Sequence, residues 1–185
     1  MTEDRSHLHL ETARMTLRPL SLEDLDAVAA LLGDAEALAL WGEPLDREGA
    51  RSWIERNLAR YEEHGFGRCA MVLRATGELV GDCGLIPTEV EGTPEVELGW
   101  IVSRSHWGQG LATEAAVAWR DLAGDRLGLR RIVSMVSEGN LASRRVAEKL
   151  GMAIERRAMW GGHAMLMYVW GGHDVRRVIR AGGRP

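Results

Sequence analysis

This 185-residue chain contains a single phenylalanine and two tyrosines against seven tryptophans, and its apolar runs never approach the length of a membrane span. Cysteine is almost as scarce. Cys69 and Cys83 fall inside strand-like runs without metal-type spacing, which excludes a disulfide framework and a cysteine-held zinc site. They read as buried thiols in a reducing compartment. A large excess of charge of one sign is also lacking: the formal net charge is −4, and nothing suggests a nucleic-acid surface. Leu8 to Leu10 is too short and too polar for a secretory leader, so the expected location is cytoplasmic, with no membrane partner. Internal repeats and dividing linkers are absent. The expectation is one domain over residues 1–185, with 1–11 and the basic, glycine-rich 171–185 as flexible tails, and no bound metal.

What is present alternates between two periods. Arg14 to Leu20 reads as a first strand, followed by a Ser21-capped helix with Leu22, Leu25, Val28 and Leu32 at helical spacing up to Gly33. Residues 34–44 form a loop carrying Trp41, and a second helix runs from about Asp46 to Gly65. Three runs follow, Gly67–Ala75, Leu79–Ile86 and Val96–Val102, joined too tightly for anything but antiparallel pairing. A helix over Leu111–Ala123, a strand over Arg131–Val136 and a short helix opened by Asn140 and stopped by Gly151 come next. A hairpin, Met152–Trp160 and His163–Trp170, closes the chain. The order is mixed α/β, an antiparallel meander feeding one strand–helix–strand unit.

The chain is organised around Trp100–Thr113, W-I-V-S-R-S-H-W-G-Q-G-L-A-T, which reads strand, glycine-bearing turn, helix start. A helix start leaves backbone N–H groups unpaired and carries partial positive charge. Gly108 and Gly110 remove the side chains that would hold an anion away, so this is a phosphate cradle on chemical grounds. No lysine closes the loop, which excludes a Walker-type site. A dinucleotide fingerprint needs a third glycine where Thr113 stands and a parallel sheet before it. Glu138 lies where a ribose-binding acid would sit, yet the preceding hairpins argue against a dinucleotide oxidoreductase.

W-G-Q-G-L-A-T-E-A at 107–115 resembles the acyl-CoA pyrophosphate loop, Arg/Gln-x-x-Gly-x-Gly/Ala, of the GNAT acetyltransferase superfamily. Gly110 and Ala112 match, and Trp107 takes the first position, as in the branch resembling ribosomal-protein alanine N-acetyltransferases. N-L-A-S-R-R-V-A-E-K-L-G-M at 140–152 resembles a second block of that branch. R-M-T-L-R-P-L at 14–20 and E-L-V-G-D-C-G-L at 78–85 resemble its first and third strands, so the similarity spans about Thr12 to Trp170 in register.

The resemblance implies an α/β fold with a single mixed, mostly antiparallel sheet of about seven strands and helices on both faces. The sheet should be splayed between the strand ending at Val102 and strand 131–136. It implies acetyl-CoA as cosubstrate, with Ile101 and Val102 offering backbone groups to the pantetheine arm. Trp107, Gly108, Gln109, Gly110, Leu111, Ala112 and Thr113 would hold the pyrophosphate, and Asn140 and Ser143 would lie beside the pantetheine and sulfur.

N-acetylation needs a neutral amine and a proton for the departing thiolate. Glu97, four residues before Ile101 on an alternating strand, is the candidate base at the offset where the superfamily carries one; Glu95, Asp82 and water are alternatives. The superfamily's proton-donating tyrosine would fall at 147, which is alanine here, so the branch's serine, Ser143, is the candidate donor. Trp41, Asp82 and Trp160 are candidates for the wall of the acceptor pocket. The expected activity is acetyl transfer to a primary amine, on a protein N-terminus or a small molecule, by direct attack in a ternary complex, with a homodimer possible. The alternative is a domain of the same fold that binds or senses acyl-CoA without turnover.

Overall fold

Dihedral punctuation places most element ends. The computed structural model describes residues 8–40 and 42–171. β1 (Leu10–Glu11) and β2 (Met15–Pro19) lead into α1 (Leu25–Leu32), α2 (Ala35–Leu38) and α3 (Arg47–His64). Asp46 accepts from the Gly49 N–H to start α3, and Gly65, left-handed at φ 73°, stops it. Next come β3 (Arg68–Leu73), β4 (Leu79–Val90) and β5 (Thr93–Val102). β4 and β5 run further than expected because Glu91 and Gly92 both adopt positive φ, at 50° and 78°. That tight primed-type turn lets Pro94 sit inside the ladder opposite Glu89. α4 (Leu111–Asp125), β6 (Arg131–Val136), α5 (Leu141–Lys149), β7 (Ala153–Trp160) and β8 (His163–Gly171) complete the chain.

One eight-stranded sheet results, in the order β1-β2-β3-β4-β5-β6-β8-β7. The expected seven strands become eight because the N-terminal segment taken as a flexible tail contributes β1: Leu10 pairs with Leu17, and Leu8 is fully buried. Likewise Gly171 belongs to β8, whereas 172–185 lie outside the described residues. α1 and α3 pack Leu25, Val28, Leu32, Trp53 and Ile54 on one face of the sheet, against Ala70 and Ile101. On the other face α4 buries Leu111, Ala115, Trp119 and Leu122 against Val80, Leu85, Val96 and Leu98. No helix among the described residues is long and apolar enough to cross a membrane.

β5 and β6 share a single register pair, Glu97 with Val133, although β5 pairs with β4 along its whole length. The sheet therefore parts beyond Glu97, where the C-terminal end of β5 points at the N-terminus of α4. That gap positions the site.

Candidate active site

A cleft of about 600 Å³ fills the gap. Ile101, Val102, Trp107, Gly108, Gly110, Leu111, Ala112 and Thr113 line one side, and Asn140, Ser143 and Val146 of α5 line the other. Gly108 and Gly110 sit at φ 75° and 78°, so glycine is required by the turn itself. α2, α3 and α5 begin with side-chain caps from Asp34, Asp46 and Asn140, but α4 begins at Gly110 without one. Its first amides are thus not claimed by a capping side chain, and Leu111, Ala112 and Thr113 line the cleft. The loop is anchored from behind: Arg14 donates to the Gln109 carbonyl at 2.8 Å and pairs with Glu114 of α4 at 2.7 Å.

Several of these parts escaped the sequence reading. Residues 34–44, read as loop, contain α2, whose Glu36 and Ala37, with the following Leu40, form a wall of the cleft. Arg104, just past β5, bonds Asp34 at 2.6 Å and pairs with Glu36, fastening that wall to the loop. Arg145 and Lys149, one turn apart on α5, place two cations at the cleft. Their spacing was the available signal.

Some expected positions lie elsewhere. Gln109 stands outside the lining, its side chain on the Ser105 carbonyl. Ser103 N–H bonds the Val80 carbonyl, so strand alternation turns Ile101's backbone toward β4 and Val102's toward the gap. Val102's carbonyl is already occupied by the Trp107 indole N–H at 2.8 Å, because an aromatic with a donor at the loop's first position seeks an acceptor. Trp160 is tied to Thr88 at 3.1 Å and packs in the apolar cluster around Val90 and Met165, away from the cleft. Asp82 is 1% exposed, its two oxygens taken by Arg68 and the Trp53 indole. Neither forms a pocket wall, and Asp82 is withdrawn as a base. Glu95 is bonded through both oxygens to Arg131. Trp41 lies outside the described residues.

Glu97 stands apart from those two. It lines a small cavity, about 30 Å³, with Arg68, Gly99, Ser134 and Met135. Leu40, Trp100, Asn140 and Ser143 line both this cavity and the large cleft, so the two spaces meet there. Glu97 is 3% exposed and its Oε2 has no hydrogen-bond partner. Burial pushes its carboxyl up to about 7, against the opposing charge of Arg68 and a backbone bond from Met135. Asn140 caps α5 by accepting from the Ser143 N–H at 3.0 Å, which leaves the half-buried Ser143 hydroxyl beside the junction.

Position 147, where a donor tyrosine would come, is fully buried in the main core and lines neither space. Ala147→Tyr should therefore overpack the core, lowering stability by ~2 kcal/mol or more in urea unfolding rather than supplying an acid. A variant of undiminished stability and raised turnover would place 147 at the cleft after all.

A mixed sheet parted in mid-domain thus frames a cleft whose rim carries a glycine-opened helix start without a side-chain cap and two cations. Residues 14–153 match the family described as "Acetyltransferase (GNAT) domain", and the chain belongs to that family. It is 30% identical to an uncharacterized N-acetyltransferase, p20, of Bacillus licheniformis, over 79% of this chain and 83% of that one. The acetyltransferase of Agrobacterium tumefaciens str. C58 superposes with a TM-score of 0.79 at 34% identity, covering 89% of this chain and 94% of that one. RimL, a ribosomal L7/L12 α-N-protein acetyltransferase solved with coenzyme A, shares the fold at a TM-score of 0.71 and 20% identity, over 86% and 95% of the two chains. The chain is therefore an acetyltransferase of the GNAT family, and the dinucleotide reading falls.

Proposed function

We propose that the protein transfers an acetyl group from acetyl-CoA to a primary amine by direct attack in a ternary complex, with Glu97 as general base. The observation that carries this reading is the buried, half-free Glu97 carboxylate, held near neutrality, in a cavity that opens beside Ser143 into the cleft. The residues present fit the cosubstrate. Amides at the start of α4 and the cations of Arg145 and Lys149 suit the phosphates, and the cleft volume suits a ligand of this size. When bound, acetyl-CoA supplies a thioester carbonyl reactive toward amines. Glu97, ionised above pH 7, takes the ammonium proton directly or through water, which frees the nitrogen lone pair. Ser143 is positioned to hydrogen-bond the departing sulfur. The acceptor class, protein N-terminus or small amine, is decided by measuring thiol release from acetyl-CoA across a panel of amines and peptides. Binding without thiol release from any acceptor would favour a sensing domain instead.

Ser143→Ala isolates the serine hydroxyl, because the cap on α5 uses the Ser143 backbone N–H and survives the change. A hydrogen bond to developing charge is worth ~1.5–3 kcal/mol, so turnover should fall ~10–150-fold with acetyl-CoA affinity retained. Unchanged turnover would assign that proton to solvent.

A further inference from the structure

Glu97 has a buried cationic neighbour that the reaction as described does not use. Arg68 leaves β3 only 1% exposed, in a cross-strand row with Gly84 of β4 and Gly99 of β5. A side chain at 99 would collide with the guanidinium: a Cβ there falls 2.5 Å from Arg68 Nη2 and 2.7 Å from Cζ. The missing side chains let Arg68 lie across the sheet onto β5, two residues from Glu97 and on the same face. Two direct contacts and one bracing bond fix it. Nη1 donates to Asp82 Oδ1 at 2.9 Å, Asp82 Oδ2 is held by the Trp53 indole at 2.8 Å, and the guanidinium sits 5.5 Å from the Trp53 ring centroid.

Arg68 Nε is nevertheless a buried donor without a partner, and Glu97 Oε2 is a buried acceptor without one. Both residues line the same cavity of about 30 Å³, which is room for one or two waters. Burying an ionised donor and an ionised acceptor unsatisfied is unfavourable, and a water between them satisfies both at once.

We infer that Arg68 is a positioning residue for the proposed base, holding a water against Glu97 and keeping that carboxylate ionised at the junction with the cleft. This rests on Glu97 as base. The charged groups facing Glu97 are Arg68 from β3 and Arg60 from α3. Asp82 of β4 is engaged by Arg68, Glu95 of β5 is engaged by Arg131, and β6 presents the Met135 backbone. Arg68 alone of the two arginines lines the cavity. Its water connects Glu97 to the edge formed by Asn140 and Ser143, where an acceptor amine would shed its proton.

The test compares pH–rate profiles of the full-length wild type, Arg68→Gln/Asp82→Asn and Gly99→Ala, with Glu97→Gln as reference. The double variant removes both members of the Arg68–Asp82 ion pair, so neither is left as a lone buried charge. In Gly99→Ala both charges remain and only the flexible end of Arg68 must move. Each variant should keep acetyl-CoA affinity within about threefold. In each, kcat at pH 7 should drop roughly fivefold, the acid limb should move up by about one pH unit, and activity should recover at high pH. An acid limb unmoved in folded Gly99→Ala or the folded double variant overturns the role of Arg68, whereas a structural fault would lower kcat evenly at every pH. Should the double variant not fold, Gly99→Ala decides alone. Glu97→Gln distinguishes the two failures: if it retains full activity, the base assignment itself falls.

Discussion

Gly110→Asp should abolish measurable acetyl-CoA binding while the protein stays folded. The glycine is left-handed at φ 78° and opens α4 without a side-chain cap, and it lines the cleft with Leu111, Ala112 and Thr113. A Cβ at 110 meets nothing closer than Arg14 Nη2 at 3.7 Å, so the fold has room for the new side chain. Aspartate tolerates the left-handed region better than most residues, at a cost of about 1 kcal/mol. On the proposed reading, its carboxylate adds volume and like charge to the loop that would hold the phosphates. Calorimetry should show affinity reduced ~100-fold or more, with the thermal midpoint within a few degrees of wild type. A folded variant with unaltered affinity would remove the phosphate cradle from the loop and the cosubstrate from the cleft.

Glu97→Gln should reduce turnover ~10²–10⁴-fold near neutral pH with little change in acetyl-CoA affinity. Some activity should return at high pH, where more of the amine is already neutral. The same substitution carries a stability signature of known sign. Burial raises the Glu97 carboxyl from 4.5 to about 7, so the folded state retains a proton that the unfolded state has released between those values. Stability is then lost as pH rises from about 4.5 to 7, because ionising the buried group opposes folding. At 1.36 kcal/mol per pH unit, the full effect is about 3 kcal/mol. Glutamine has no such ionisation, so the variant should be more stable than wild type at pH 8 and nearly equal to it at pH 4.5. Urea melts at the two pH values read this directly. A variant that loses stability at pH 8 would mean that Glu97 is ionised at no cost, and its role as a near-neutral base would go with that. Lost activity joined to gained stability is what a carboxylate kept for chemistry rather than for packing should show.

Much of this arrangement is visible in one dimension. The first turn of α3, its glycine stop, β6 and the Asn140 cap emerge from short-range rules, because a cap or a left-handed residue acts within a few positions of itself. Gly108 and Gly110 announce the cradle for the same reason. Alternation puts Glu97 on one face with Ile101 and Glu95, and the family resemblance singles out Glu97 by its offset. Helix α2 was missed because four residues are too few to display a period, and it persists through its Asp34 cap and the Arg104 bridge, neither of which a local pattern reveals.

Asp82 and Trp160 mark the boundary most clearly. Each is a plausible pocket residue by type and by position on its strand. Asp82 is sealed because Trp53 on α3 and Arg68 on β3 converge on it from elsewhere in the chain, and Trp160 is held away because β4 extends far enough to offer it Thr88. The residues alone determined the elements other than β1 and α2, the antiparallel order from β3 to β5, the glycine-bearing turn and the acidic strand face, since all of these depend on neighbours within about ten positions. Tertiary packing determined which acid is free. Glu95, Asp82 and Glu97 are chemically similar and lie on the same face of the sheet, and what separates them is which arginine crosses the strands to reach each. Arg131 takes Glu95 and Arg68 takes Asp82, while Glu97 keeps one oxygen without a hydrogen-bond partner. Cross-strand reach and burial depend on residues brought together from distant parts of the chain, so no local pattern contains them.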